Sequence, residues 1–304
     1  GDSLLWSQNN PIQTSNQALK TLTTENLNEI FRGKYGRNMR LQTDFKPSHL
    51  LYKRYIYRED DLYFNFPPLY YVPGFNTVEG LYMSYQVPIK IYHQKREWGL
   101  TPMVRYGFAD NEFKSRMRAD LTYDLGNPKK VSLEVGHLLD QFNEEDPISP
   151  PINAYYSLVL SKNYMKLYGK DYIRAGYQLE ITNGLEFQSS IEYASRFAVF
   201  NNSDFTIFGD GENFTPNNPT ADDVIDENGF KEHQAFTFRS QLAYQFNQRY
   251  KTINRKKIAL QMNTPRIYIN YRQGVRSEFS DTKFIFASGG ISFNTNLGNA
   301  GHSK

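Results

Sequence analysis

Between Glu112 and Asp124 the chain alternates almost residue by residue. Phe113, Met117, Ala119, Leu121 and Tyr123 share one parity, interrupted only by Ser115, and Lys114, Arg116, Arg118, Asp120, Thr122 and Asp124 share the other. Successive side chains of a strand face opposite sides, so a period of two predicts a strand with one greasy and one charged surface. The pattern returns in Tyr172–Ile181, where Ile173, Ala175, Tyr177, Leu179 and Ile181 oppose Arg174, Gln178 and Glu180. It returns again in Leu185–Tyr193, with Glu186 and Glu192 on the polar side, and in Phe236–Phe246, with Arg239 and Gln241 there. Leu81, Met83, Tyr85, Val87, Ile89 and Ile91 form a longer row.

About twelve strands follow from this reading: 50–58, 61–66, 78–92, 98–108, 113–124, 130–138, 153–161, 171–182, 185–195, 233–247, 263–275 and 282–295. Many match or exceed the ~9–11 residues that a tilted strand needs to cross a bilayer, and no stretch approaches the ~18 apolar residues of a spanning helix. The fold class expected is therefore all-β, an antiparallel up-and-down transmembrane β-barrel over 47–304. Residues 1–46 read as a short, partly helical periplasmic lead-in, with a capped turn at Thr23–Phe31. Asn183-Gly184 is the strongest hairpin signal and predicts a type I′ turn, whose two central residues both need positive φ. Two connections are long, Asp140–Ile152 and Phe197–Glu232. The predicted turns do not alternate cleanly between short and long, so neither rim can be assigned a side. The chain ends Asn299-Ala300-Gly301-His302-Ser303-Lys304 rather than on an aromatic-terminated strand, which reads as a fragment cut before the sheet closes.

Composition changes this picture little but consistently. There are 23 Tyr and 22 Phe against 2 Trp, in keeping with aromatic strand ends at the interfaces of a barrel. The absence of Cys removes disulfide scaffolds and thiolate metal sites. A negative mean hydropathy suits a barrel whose polar lumen and loops outweigh one apolar band. The net charge of +3, with bases and acids sharing strands, argues against nucleic acid as a partner.

Several segments taken in order carry a family resemblance. They are Asn76-Thr77-Val78-Glu79-Gly80, Arg105-Tyr106-Gly107-Phe108, Pro147-Ile148-Ser149-Pro150, Asn153-Ala154-Tyr155-Tyr156-Ser157-Leu158, Asn163-Tyr164-Met165-Lys166-Leu167-Tyr168, Asn183-Gly184-Leu185 and Thr264-Pro265-Arg266-Ile267-Tyr268-Ile269-Asn270-Tyr271-Arg272. From about Asp2 to Phe293 the chain resembles the Bacteroidota outer-membrane proteins named carboxypeptidase-like regulatory domain-containing. That resemblance implies a β-barrel in the outer membrane, preceded in the family by a small β-sandwich; the residues here read as the barrel portion without it. The family name refers to the sandwich and attaches no peptidase signature.

Candidate chemistry is sparse. None of His49, His93, His137, His233 and His302 stands at metal-ligand spacing from another ligand, and no nucleophile or phosphate-loop motif occurs. In the acidic loop, Asp210, Glu212, Asp223 and Asp226 could offer oxygens to a cation without EF-hand spacing; a solvated surface loop is the default. Arg249, Lys251, Arg255, Lys256 and Lys257 form a basic run, which could meet lipopolysaccharide phosphates on an outer rim or be a solvated turn on an inner one. Arg116, Arg118, Asp120, Arg174, Glu180, Glu186, Glu192 and Arg239 are the predicted lumen-facing polar residues, meeting across the lumen either as a plugging network or as the lining of a polar path. Glu186 and Glu192 could also serve as an acid–base pair.

The function expected is a non-enzymatic outer-membrane barrel without cofactor, in envelope biogenesis or in passage of solutes or polymers. Its partners are outer-membrane lipid and other envelope proteins. The alternatives are an outer-membrane barrel hydrolase and a soluble β-sandwich that binds glycan, whose strands would also bury one face.

Overall fold

The computed structural model describes residues 47–304, apart from 53, 60, 94–95, 125, 144–147, 209–213, 218–228, 254–255, 261–262, 294, 297–301 and 304. The expected lead-in over 1–46 lies outside the described residues.

Thirteen of the described strands form one antiparallel sheet in near-sequential order. The first helix, α1 (Pro47–Tyr52), leads to β1 (Tyr55–Glu59) and β2 (Leu62–Phe66). A 3-10 turn (Leu69–Tyr71) separates β2 from β3 (Pro73–Asn76), and β4 (Gly80–Gln86) and β5 (Ile89–His93) return alongside. Then come the long strands β6 (Arg96–Gly107), β7 (Phe113–Tyr123) and β8 (Lys129–Gln141), the helix α2 (Pro150–Leu160), and β9 (Leu167–Thr182), β10 (Leu185–Ala198) and β11 (His233–Gln245). A separate hairpin of β12 (Tyr250–Ile253) and β13 (Lys256–Ala259) precedes β14 (Arg266–Gly274) and β15 (Phe284–Ser292). The path through the sheet is β1-β2-β5-β6-β7-β8-β9-β10-β11-β14-β15, with β3 paired to β4 and β4 to β6.

Most predicted strands stand, with edges moved by a few residues. Strand 78–92 is split into β4 and β5 without loss of register: Gln86 opposes Met103 and Ile89 opposes Leu100. The break falls at Pro88, which has no N–H to give to the ladder. Residues 50–52 belong to α1 instead of the first strand.

One predicted strand is wrong. Residues 153–160 lie in the helix α2, which is capped by Ser161. Pro150 and Pro151 occupy its first turn, where a missing N–H costs nothing. Its buried positions are Asn153 and Ser157, one turn apart on one side. Removing that false strand restores the alternation of the turns. One end of the sheet carries the connections 108–112, 142–166, 199–232 and 275–283, most of them long. The other end carries 124–128, the tight turn 183–184 and the connection holding β12–β13.

The Asn183-Gly184 turn is also not type I′. Among its two central residues only Gly184 has positive φ, at 83°, and the register shifts between Leu185 and Glu186. Pairing with a bulge lets a single left-handed residue close the hairpin. Glycine is required there, because a Cβ would meet the Gln245 carbonyl oxygen at 2.6 Å.

Apolar packing inside the sheet is thin. The buried cluster is Val78, Met165 and Leu167, with Leu139, Ile148 and Val199 against it at the long-loop end. There the chain after β10 reaches the β3–β4 turn: the Asn202 and Ser203 N–H groups both donate to the Thr77 carbonyl, at 2.9 and 3.0 Å. These two segments belong to strands five places apart in the sheet order.

Candidate functional site on the polar face

Along β7–β11 one parity is exposed and apolar, and the other is buried and charged. Phe113 is 77% exposed, Leu133 51% and Ile173 50%, and Met117, Val131, Val135, Ile191 and Leu242 are exposed as well. Interleaved with them are Lys114, Glu134 and Glu192, all buried. Among the described residues the bulkiest fully buried side chains are Lys114, Glu79 and Glu192, not hydrophobes.

The buried charges are arranged by strand register. Arg118, Glu134, Arg174 and Glu192 oppose one another in turn across β7, β8, β9 and β10. Opposite charges directly across an antiparallel pair attract, and this row alternates in sign at every step. Arg118 Nη1 lies 3.5 Å from Glu134 Oε2, and Arg174 Nη1 lies 3.6 Å from Glu134 Oε1. Arg174 Nε donates to Glu192 Oε2 at 2.8 Å, and the Tyr172 hydroxyl donates to Glu134 Oε1 at 2.6 Å.

Glu192 is the hub. Besides Arg174 it has Lys170 at 3.5 Å, Arg239 at 3.7 Å and Arg196 at 3.8 Å. A buried carboxylate of this kind is tolerable only when several charged donors replace its lost hydration.

The other predicted residues sit on the same face. Asp120 takes Arg118 Nε and Lys130 Nζ, both at 3.1 Å. Arg116 donates to Gln86. Near the short-turn end Glu180 holds Lys257 Nζ at 2.7 Å and Glu186 holds Arg266 at 2.8 Å. The eight residues were expected to meet across a lumen; apart from Glu180 with Lys257 of the hairpin, their charge partners here lie along the wall, on the same strand, a neighbouring one or, for Glu186 with Arg266, the next but one. Glu186 and Glu192 are six residues apart on β10, roughly 20 Å at ~3.3 Å per residue. That exceeds the ~9.5 Å upper span of a carboxylate pair working on one bond, so the two do not form an acid–base pair. The loop acids Asp210, Glu212, Asp223 and Asp226 lie outside the described residues.

Sequence reasoning missed a second charged cluster at the long-loop end. Glu79, fully buried, pairs with Arg105 and lies 3.4 Å from Lys114, which also pairs with Asp110. The Asn76 side chain shapes this turn: Oδ1 accepts the Val78 and Glu79 N–H groups at 2.9 and 2.8 Å, while Nδ2 donates to Glu79 Oε2 at 2.7 Å. The signal was present in the Asn-Thr-Val-Glu-Gly string, since Asx turns are local.

Two further asparagines tie the long connections down. Asn153 of α2 accepts the N–H groups of Tyr164 and Met165 at 3.1 and 3.0 Å. Asn217 accepts the Leu167 N–H at 2.9 Å and donates to the carbonyls of Leu167 and Val199. Lys166 Nζ donates to the Thr215 hydroxyl at 2.6 Å and to the Pro216 carbonyl at 2.7 Å. Partial burial lowers the pKa of Lys166 to about 8.

Taken chemically, the face is a wall of fixed, mutually neutralising ions. It holds charge in place and can contact a polar molecule along its length.

Residues 48–304 match a family of unknown function, the C-terminal domain of DUF5686, and the chain belongs to that family. The match carries neither a bacterial group nor the carboxypeptidase-like name. No curated protein matches the chain, and no solved structure does.

Proposed function

We propose that this member of the DUF5686 C-terminal family forms the wall of an outer-membrane β-barrel in a Gram-negative, Bacteroidota-like envelope. Its work is non-enzymatic, in passage of polar solutes or polymers or in envelope assembly. The finer name suggested by the sequence, carboxypeptidase-like regulatory domain-containing protein, belongs to the same reading.

The observation that carries it is the inverted burial. Apolar side chains lie exposed in rows on β6–β11 while ionised ones between them are enclosed. Soluble monomers rarely expose contiguous apolar patches beyond a few hundred Å². In hydrocarbon the same rows would be the solvated side, and strands β6–β11 are laddered on both edges, as backbone there must be. Strands β7–β11 hold 11 to 16 residues, enough to span with tilt.

Aromatic rings at both ends of the apolar band support it further. Tyr106 packs against Phe108 and Phe113 near the long loops, and the hydroxyls of Tyr123 and Tyr177 meet at 3.3 Å near the short turns. Barrels carry such girdles at the two interfaces, and their short turns face the periplasm. On that convention the basic hairpin β12–β13 is periplasmic and does not meet lipopolysaccharide.

A sandwich would cover Met117, Leu133 and Ile173 with a second sheet, and they are open to the outside. Purification decides the matter. The barrel reading expects a need for detergent, co-fractionation with outer membranes and gel migration that changes on heating. A chain that stays monodisperse without detergent and unfolds cooperatively overturns it.

A further inference from the structure

Resting on that reading, we propose that the inner face between β9 and β15 binds an acidic saccharide. A cleft of 370 Å³ opens there, within the range of ligand sites. Two rows of side chains cross it. In the first, Gln188, Gln241 and Asn270 oppose one another across β10, β11 and β14. In the second, two residues further along the same face, Arg239 of β11 opposes Arg272 of β14, and Arg272 opposes Phe286 of β15.

The chemistry of each row selects part of a ligand. Amides donate and accept at once, as sugar hydroxyls do, so a row of them matches a row of hydroxyls better than it matches a bare ion. Gln241 Nε2 already donates to Asn270 Oδ1 at 2.7 Å, which orients both amides along the row. Two guanidiniums directly opposite each other on adjacent strands can hold one anion between their N–H forks. Arg272 is held over the Phe286 ring at 5.2 Å and Arg239 near Glu192 at 3.7 Å, so both guanidiniums are positioned before anything arrives. The ligand class is therefore a sugar carrying a carboxylate or phosphate, its hydroxyls on the amide row and its acid group between the arginines.

Full-length protein in detergent, its fold checked by heat-modifiable migration, is titrated calorimetrically with an oligogalacturonate, a hexose phosphate and neutral maltopentaose. An acidic probe is expected to bind at least about tenfold tighter than the neutral one. Preference between the first two probes identifies the acid group as carboxylate or phosphate. Arg272→Gln is expected to abolish the preference for acidic over neutral sugar, and Asn270→Leu to weaken all sugars by about tenfold. Equal binding of acidic and neutral sugars, or acidic binding unchanged in both folded variants, overturns the proposal. A protein that inserts into lipid but binds none of the three sinks this inference and leaves the barrel; one that binds sugar without detergent does the reverse.

Discussion

Leu133 and Glu134 are neighbours on β8, and their circumstances are opposite. The leucine is half exposed; the glutamate is buried and bonded to Tyr172 and near two arginines. The same contrast separates Ile173 from Arg174 and Ile191 from Glu192. In a water-soluble sheet the two faces would exchange roles, with apolar side chains gathered against a second layer. Here the enclosed face is organised by ion pairs set by register, while the apolar rows lie open. The lesson is that alternation alone names two faces, and only burial says which of them is the inside.

Substitutions can separate the faces. The largest effect is expected from Glu192→Gln, which leaves Lys170, Arg174 and Arg239 around a neutral group; about 3 kcal/mol of stability is lost, read from urea unfolding in lipid or micelles. On the other face Leu133→Arg should cost about 2–4 kcal/mol in lipid if the row meets hydrocarbon. A cost within about 0.5 kcal/mol, typical of a water-exposed site, would break the comparison.

A smaller effect is expected at the long-loop end, where Asn153→Ala strips the Tyr164 and Met165 amides of their acceptor. Its cost should be about 1–3 kcal/mol, with faster hydrogen exchange confined to residues 150–167. The smallest concerns Lys166. Its pKa near 8 lies below the ordinary lysine value, so between pH 8 and 10.5 the unfolded chain holds a proton that the folded one has released. Folding stability should therefore rise with pH across that window relative to Lys166→Met. Equal pH profiles for the two proteins would show that burial does not perturb this amine.

Much of the wall was legible in the chain because a period of two is a direct geometric consequence of strand pleating. The partnerships within it were less so. Counting outward from a two-residue turn at Asn183-Gly184 would have set Glu192 opposite Ala175; the bulge after Leu185 moves its partner to Arg174, and one residue of slip decides which face a side chain meets. Glu134 could not be placed by counting at all, since a long connection separates β8 from β9 and leaves their register open. Helix α2 was misread because Tyr155, Tyr156 and Val159 favour strands, while the helix is held by Asn153 and Ser157, polar groups that no hydrophobic period reports. The paired prolines at its start were the available clue.

The register between β8 and β9 runs from Lys129 opposite Leu179 to Gln141 opposite Leu167 without a shift. Inserting or deleting one residue within either strand would turn Arg174 toward the exposed apolar side and Ile173 toward the ions, and every residue beyond with them. Such a wall can change length only where it turns, so growth and variation in this protein are confined to its rims.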